Sequence, residues 1–245
     1  MNILGVIPAR YQSSRFPGKP LIDIRGKTMI QRVYEQACQS KYLSKVIVAT
    51  DDERIAAHVH RFGGNPLLTQ VSHKSGTDRC AEVIRHYPEM KAIINIQGDE
   101  PLIDPSQIDL VASCFEDPVV EVATLIKRIQ DSDELFNDNI VKVVIDHFSR
   151  AIYFSRSPIP FVRGLEKEKW MENHSFQKHI GIYGFRKDIL ETIRSLKPSG
   201  LELSESLEQL RWLQNGISIT VRKTELETQA IDTPDDLKKV LKMIK

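Results

Sequence analysis

Short apolar runs rich in β-branched residues alternate with stretches of helical periodicity, and that alternation confines the chain to an α/β fold. Residues 3–7 read as a buried strand closed by Pro8, and a polar loop with Gly18, Pro17 and Pro20 follows. Met29, Ile30, Val33, Ala37 and Cys38 fall on one face of a helix over residues 28–39. Residues 45–49 form a second strand. Asp51 and Asp52 are placed to cap a helix running to Phe62, which Gly63 and Gly64 stop. A helix over 77–87, a strand over 92–96 and a helix over 105–115 continue the pattern. The apolar runs predict a mostly parallel sheet flanked by helices. The middle of the chain differs. Residues 119–126, 140–145, 151–154 and 179–185 read as strands with few helices between them, an embedded, partly antiparallel subregion. Helices over 187–196 and 204–214 and a strand over 217–221 follow. Thr233-Pro234-Asp235-Asp236 then opens a last helix with a cap, a proline in its first turn and acids there. No repeat, low-complexity tract or linker divides residues 1–245, so a single domain is expected.

Composition narrows the function classes. The chain has 34 Lys and Arg against 33 Asp and Glu, a net +1, which leaves no global basic field for a nucleic-acid polymer. The 41% hydrophobic content argues against disorder and for a sizeable core. Cys38, Cys80 and Cys114 lie far apart and make neither a disulfide framework nor a metal motif; Cys38 and Cys114 read as small apolar filler. The N-terminal apolar run is too short for a signal peptide and carries no preceding Lys or Arg. No stretch approaches the roughly 20 apolar residues of a membrane helix. A cytoplasmic protein with no membrane partner is the expectation.

The loop after the first strand carries chemistry. From Arg10 to Lys27 there are five cations (Arg10, Arg15, Lys19, Arg25, Lys27) against one acid, Asp23. In a doubly wound sheet, ligands bind beyond the carboxyl ends of the strands. Gly18, Ser13 and Ser14 let backbone N–H groups approach anionic oxygens, and Arg10 and Lys19 can neutralise a triphosphate. The G-x-x-x-x-G-K-[ST] spacing of a Walker A loop is missing, and so is the G-x-G-x-x-G of a dinucleotide-binding turn. Asp99, after Gly98 at the end of a strongly apolar strand, suits a hard oxygen-seeking cation. Asp232 is left free if Thr233 caps the last helix. Ser75 or Thr77 is placed to cap the helix that follows them.

The run Ile7-Pro8-Ala9-Arg10 through Arg15-Phe16-Pro17-Gly18-Lys19-Pro20-Leu21 resembles the N-terminal signature of the 3-deoxy-manno-octulosonate (Kdo) cytidylyltransferases. Further segments match in order: Ala49-Thr50-Asp51-Asp52, Ser75-Gly76-Thr77-Asp78-Arg79, Asn95-Ile96-Gln97-Gly98-Asp99-Glu100-Pro101, Tyr153-Phe154-Ser155-Arg156, Lys178-His179-Ile180-Gly181-Ile182-Tyr183, Leu207-Glu208-Gln209-Leu210-Arg211 and Ile231-Asp232-Thr233-Pro234. The resemblance spans nearly the whole chain. It implies a Rossmann-like nucleotide-diphospho-sugar transferase fold, CTP and Kdo as substrates, CMP-Kdo for lipopolysaccharide synthesis as product, and a homodimer. It implies Mg²⁺ held by Asp99 and Asp232, and catalysis by Arg10, Lys19 and Asp99. Nucleotide contacts then fall to Pro8, Ala9, Arg10, Lys19, Ser75, Arg79 and Gln97. Sugar contacts fall to Arg15, Arg156, His179, Tyr183, Glu208 and Gln209. Several of these have plain structural roles open to them. His179 and Tyr183 suit a core strand, and Glu208 can pair with Arg211 along a helix. His58, His60, His73, His86, His147 and His174 show no ligand spacing. The charged stretch 161–175, with Gly164, reads as a loop able to move. Sialate or an amino variant of Kdo is the rival acceptor, and a non-catalytic nucleotide-binding protein is the rival class.

Overall fold

The computed structural model describes residues 1–12, 16–227 and 229–244. Its strands are β1 (Ile3–Ala9), β2 (Asp23–Ile24), β3 (Lys27–Thr28), β4 (Leu43–Thr50), β5 (Pro66–Leu68), β6 (Ala92–Asn95), β7 (Val122–Arg128), β8 (Lys142–Ile145), β9 (Ala151–Ser155), β10 (Gln177–Arg186) and β11 (Ile219–Lys223). Its helices are α1 (Met29–Ala37), α2 (Glu53–Arg61), α3 (Gly76–Arg85), α4 (Pro105–Ser113), α5 (Ser132–Phe136), α6 (Trp170–Asn173), α7 (Lys187–Ser195), α8 (Gly200–Glu205), α9 (Glu208–Gln214) and α10 (Pro234–Met243).

The main sheet runs β11-β7-β10-β6-β1-β4-β5, and β8 and β9 extend it from β10 as an antiparallel hairpin. β4 and β6 flank β1 in parallel, β5 joins β4 in parallel, and β11 joins β7 in parallel. β10 is antiparallel to both its neighbours, so it alone is reversed along that path. The chain therefore has the predicted mostly parallel sheet with helices on its faces and an antiparallel insertion. From β1 it winds outward through β4 and β5, then returns through α3 to place β6 on β1's other side. The crevice between the carboxyl ends of β1 and β6 is thus the topological switch point.

Two large apolar clusters flank the sheet. One gathers Ile7, Ile30, Val33, Ile55, Ile94 and Phe115, and the other Leu4, Val6, Ile84, Ile93, Phe185 and Trp212. Alternate residues of β1 and β6 enter opposite clusters, which is the two-residue period of a strand covered on both faces. Thr28, Asp52, Ser75 and Thr233 cap their helices through side-chain oxygens, and Ser75 with Asp78 and Thr233 with Asp236 form capping boxes.

Three local expectations change. The single helix over 204–214 is two helices, α8 and α9, broken at Ser206, whose φ of 53° is left-handed. The Ser199–Glu202 capping box starts helix earlier than apolar periodicity indicates, and Leu207 leaves the helical path to bury itself. The stretch 161–175 is not bare loop. Trp170, 3% exposed, stacks near Phe176 and meets Phe161 edge-on, anchoring α6. Cys114 is buried as expected, but Cys38, the C-cap of α1, is exposed.

Phe185 is fully buried on β10, its ring centroid 5.2 Å from Trp212 and 6.0 Å from Tyr183. Phe185→Ala is expected to cost about 3–5 kcal/mol through the cavity it leaves. Urea denaturation of the wild type and the variant checks it.

Candidate active site

The site begins where β1 ends. Pro8 and Arg10 line a cleft of about 320 Å³ together with Gly76, Thr77 and Arg79 from α3, Asn95 and Gln97 from the end of β6, Tyr183 from β10, and Glu208, Gln209 and Trp212 from α9. Gly98 makes the strand ends approach this closely. A Cβ there would lie 2.6 Å from the Pro8 carbonyl oxygen, so only glycine fits without moving backbone. Next to Gly98, Asp99 meets the basic loop. Lys19 Nζ donates to Asp99 Oδ2 at 2.7 Å and to Asp232 Oδ1 at 3.2 Å. Gly18, at φ 72°, turns the chain into the short 3₁₀ segment Lys19–Leu21 and so aims Lys19. The Ile231 N–H donates to the Asp99 carbonyl at 2.9 Å, and buried Ile231 packs with Ile24, Met29 and Val240. These contacts carry Asp232 from the far end of the chain to the β6 terminus.

The cleft is polar and incompletely satisfied. Among the described residues, six buried side-chain atoms have no hydrogen-bond partner, and three of them, Arg79 Nε, Tyr183 Oη and Trp212 Nε1, belong to cleft residues. Buried polar atoms of a folded protein are rarely left unpaired, and such a gathering marks a place for a polar ligand. Glu208 accepts from Thr77 Oγ1 at 3.0 Å and from Arg211 Nη2 at 2.8 Å, so the expected pairing with Arg211 is formed at the cleft wall. Burial pushes the Glu208 carboxyl above its ordinary pKa, against the pull of Thr77 and Arg211. Burial also raises the Tyr183 phenol, with Glu208 adding to it. Arg10 donates to the His73 carbonyl oxygen, and its pKa is lowered by burial and by nearby Arg79.

The structure brings Pro8, Arg10, Arg79, Gln97, Tyr183, Glu208 and Gln209 to the cleft, with Ala9 at the end of β1. Ser75 caps α3 at the cleft's border. Lys19, Asp99 and Asp232 stand together at the adjoining strand end. Three of the expected contacts already have protein partners, Arg79 among them although it lines the cleft. Arg79 is fully buried with its guanidinium on Asp51 and Thr69. Arg156 binds the carbonyl oxygens of Glu205 and Asp138, and His179 sits between Thr124, at 2.9 Å, and the Phe154 ring. Arg15, with Ser13 and Ser14, lies outside the described residues. Trp212 is a cleft residue that sequence reasoning missed, and Asn95 and Thr77, which lie in the matched motifs, were given no contact of their own. Asn95 lies in an apolar strand, where one polar residue among Ile93, Ile94 and Ile96 was the available signal.

Asp99 and Asp232 supply hard oxygen donors that already converge on one ammonium group. Among the described residues no three His, Cys, Asp or Glu side chains gather so as to hold a metal. A two-carboxylate set fits Mg²⁺, which completes its shell with water and phosphate oxygens.

A crevice at the switch point of a mostly parallel sheet, with a lysine and two carboxylates beside a polar cleft, defines a nucleotide-binding α/β protein. Comparison with known proteins narrows the class. A cytidylyltransferase family model matches residues 4–222. The chain is 54% identical over 242 residues to the 3-deoxy-manno-octulosonate cytidylyltransferase of Cytophaga hutchinsonii, covering 98% of this chain and 96% of that one. It is 51% identical over 250 residues to the protein of the same name from Bacteroides thetaiotaomicron, covering 100% and 99%. The solved structure of CMP:2-keto-3-deoxy-manno-octonic acid synthetase complexed with CTP superposes with a TM-score of 0.93 at 44% identity, covering 100% of this chain and 98% of that one. A cytidylyltransferase from Leptospira borgpetersenii shares the fold at a TM-score of 0.64 and 17% identity, over 98% of this chain and 85% of that one. The chain belongs to the cytidylyltransferase family, among the 3-deoxy-manno-octulosonate cytidylyltransferases.

His179 gives a test of the site's electrostatics. Burial pushes its pKa down from 6.5 to about 3, so it stays neutral in the fold. Between those values the unfolded chain binds a proton that the folded chain does not, and stability is lost as pH falls from 6.5 towards 3. His179→Gln removes this proton uptake. Its stability is expected to fall less steeply with acid than the wild type's, read by urea denaturation at a series of pH values.

Proposed function

We propose that the protein transfers CMP from CTP to the anomeric hydroxyl of Kdo, releasing pyrophosphate and giving CMP-Kdo. The observation that carries this reading is the paired architecture of the site: a polar cleft with unpartnered buried donors, directly beside a lysine bound to two carboxylates. The cleft of about 320 Å³ would take the nucleoside and the sugar acid, with Lys19, Asp99 and Asp232 beside it to meet the phosphates. The sugar oxygen attacks the α-phosphorus, forming a P–O bond while the bond to the β-phosphate oxygen breaks. The hydroxyl proton passes to water, the β- and γ-phosphates leave as pyrophosphate, and no covalent enzyme intermediate is needed. Catalysis is then positioning and charge neutralisation. Pro8, Ala9, Ser75 and Gln97 border the nucleotide, and Tyr183, Glu208 and Gln209 border the sugar acid. Arg10 and Lys19 turn from their resting partners, the His73 carbonyl and the two carboxylates, to the phosphates. Asp99 and Asp232 would hold Mg²⁺, which supplies charge neutralisation at the phosphate oxygens.

We assign the reaction to the cytoplasm; among the described residues no helix is long and apolar enough to cross a membrane. We also propose a homodimer, to which the exposed Phe148 and Ile152 of the β8–β9 hairpin would contribute. A mass near twice 28.0 kDa in sedimentation equilibrium checks that state.

The direct test is incubation of the purified protein with CTP, Mg²⁺ and Kdo and detection of CMP-Kdo by mass. UTP and ATP serve as nucleotide controls, and sialate and 8-amino-Kdo as acceptor controls. Product from Kdo is expected, and transfer only to another acid would overturn the assignment. EDTA is expected to abolish turnover. Lys19→Ala and Asp99→Asn are each expected to lose roughly 10²–10³ in rate, the usual cost of removing a preorganised charge, with far-UV circular dichroism unchanged.

A further inference from the structure

Glu205, the last residue of α8, is held by the hairpin strand β9 through both its side chain and its backbone. Ser155 Oγ donates to Glu205 Oε1 at 2.7 Å, and the Arg156 N–H donates to Glu205 Oε2 at 2.9 Å. The Arg156 guanidinium then returns to the backbone of the same residue, Nε donating to the Glu205 carbonyl at 2.7 Å, while Nη1 donates to the Asp138 carbonyl at 3.0 Å. A carboxylate grasped at both oxygens together with its own carbonyl leaves the end of α8 little freedom to rotate.

The next residue shows what is being held. Ser206 has φ 53° and ψ 47°, a left-handed conformation unfavourable for a residue with a Cβ. Immediately after it, Leu207 is extended and buried, and α9 begins at Glu208. Glu208 and Gln209, the first two residues of α9, enter the cleft. Behind them lies a second hollow of about 400 Å³, lined by Lys74, Asp78, Glu202, Ser206 and Arg211, and Glu208 borders both spaces. The direction in which Glu208 points is therefore decided by the elbow at Ser206.

We propose that Glu205 is a positioning residue for the acceptor half of the site: clamped by Ser155 and Arg156, it holds the strained Ser206 elbow so that Glu208 and Gln209 face the sugar acid. This rests on the acceptor being bound beside α9, as in the function proposed above. It also gives Arg156 a role in acceptor binding exercised through Glu205. The clamp residues bond to the end of α8, whereas the nucleotide side, built on β1, α3 and β6, meets the elbow through the Thr77–Glu208 hydrogen bond, so CTP binding should change far less than acceptor binding.

The test is steady-state kinetics on the wild type, Glu205→Ala, Glu205→Gln, Ser206→Gly and the double variant Glu205→Ala/Ser206→Gly, with Kdo and CTP varied in turn. Glu205→Ala is expected to raise the KM for the acceptor about tenfold or more while the KM for CTP stays within about twofold, the scale of a misplaced binding group. Glu205→Gln, which keeps an acceptor oxygen for one donor, should fall between. Glycine adopts the left-handed turn without a clamp, so the double variant should recover much of the acceptor KM. An unchanged acceptor KM in Glu205→Ala overturns the proposal, as does an equal rise for both substrates. A double variant worse than Glu205→Ala also overturns it, because the clamp would then serve general stability. A wild type that transfers no CMP to Kdo overturns the functional reading instead, which separates the two failures.

Discussion

Leu4, Gly5 and Val6 of β1 run in parallel register with Ile93, Ile94 and Asn95 of β6, and the chain leaves both strands on the same side. That pairing is the constraint on which the site depends. It sets the Pro8 carbonyl against Gly98 so closely that no side chain fits between them. The main chain beyond each strand is then committed to one crevice. Arg10 leaves β1 there, and Gln97 and Asp99 leave β6 there. The apolar residues of both strands are buried on both faces, so neither strand can shift by one residue without moving isoleucines and leucines out of the core.

Charge is organised around the same point. Lys19 stands between Asp99 and Asp232 as an internal counter-ion, and the two carboxylates are held together by it although 133 positions of sequence separate them. The near-neutral total of the chain thus conceals a segregated site in which a basic loop meets two acids. The cleft beside it remains polar and partly unpaired, with burial raising both the Glu208 carboxyl and the Tyr183 phenol above their ordinary pKa values.

Helix caps, the last helix, the order of strands and helices, and the basic loop after β1 were all legible in the residues, because each depends on neighbours within a few positions. The Thr233-Pro234-Asp235-Asp236 start is an example, with cap, first-turn proline and acid acting within one turn. The break at Ser206 was not legible. It comes from a capping box upstream and the burial of Leu207 downstream, and neither alters the apolar period that predicts one long helix. The destinations of Arg79 and Arg156 were equally hidden. A motif arginine can serve a ligand or a backbone, and only its neighbours decide: Asp51 and Thr69 for the first, Glu205 and Asp138 for the second.

By itself, then, the sequence determined an α/β chain with a basic loop after its first strand, and its motifs placed it beside the Kdo cytidylyltransferases. Tertiary structure decided which of the candidate side chains share a space. It brought Asp232 to Asp99 through the Ile231 backbone bond, opened the cleft between α3, β6, β10 and α9, and turned Glu208 and Gln209 into it through the Ser206 elbow. The reason is one of range. Periodicity, capping and turn preference act over a few residues, whereas ion pairs and cleft walls join residues that meet only after the sheet has assembled.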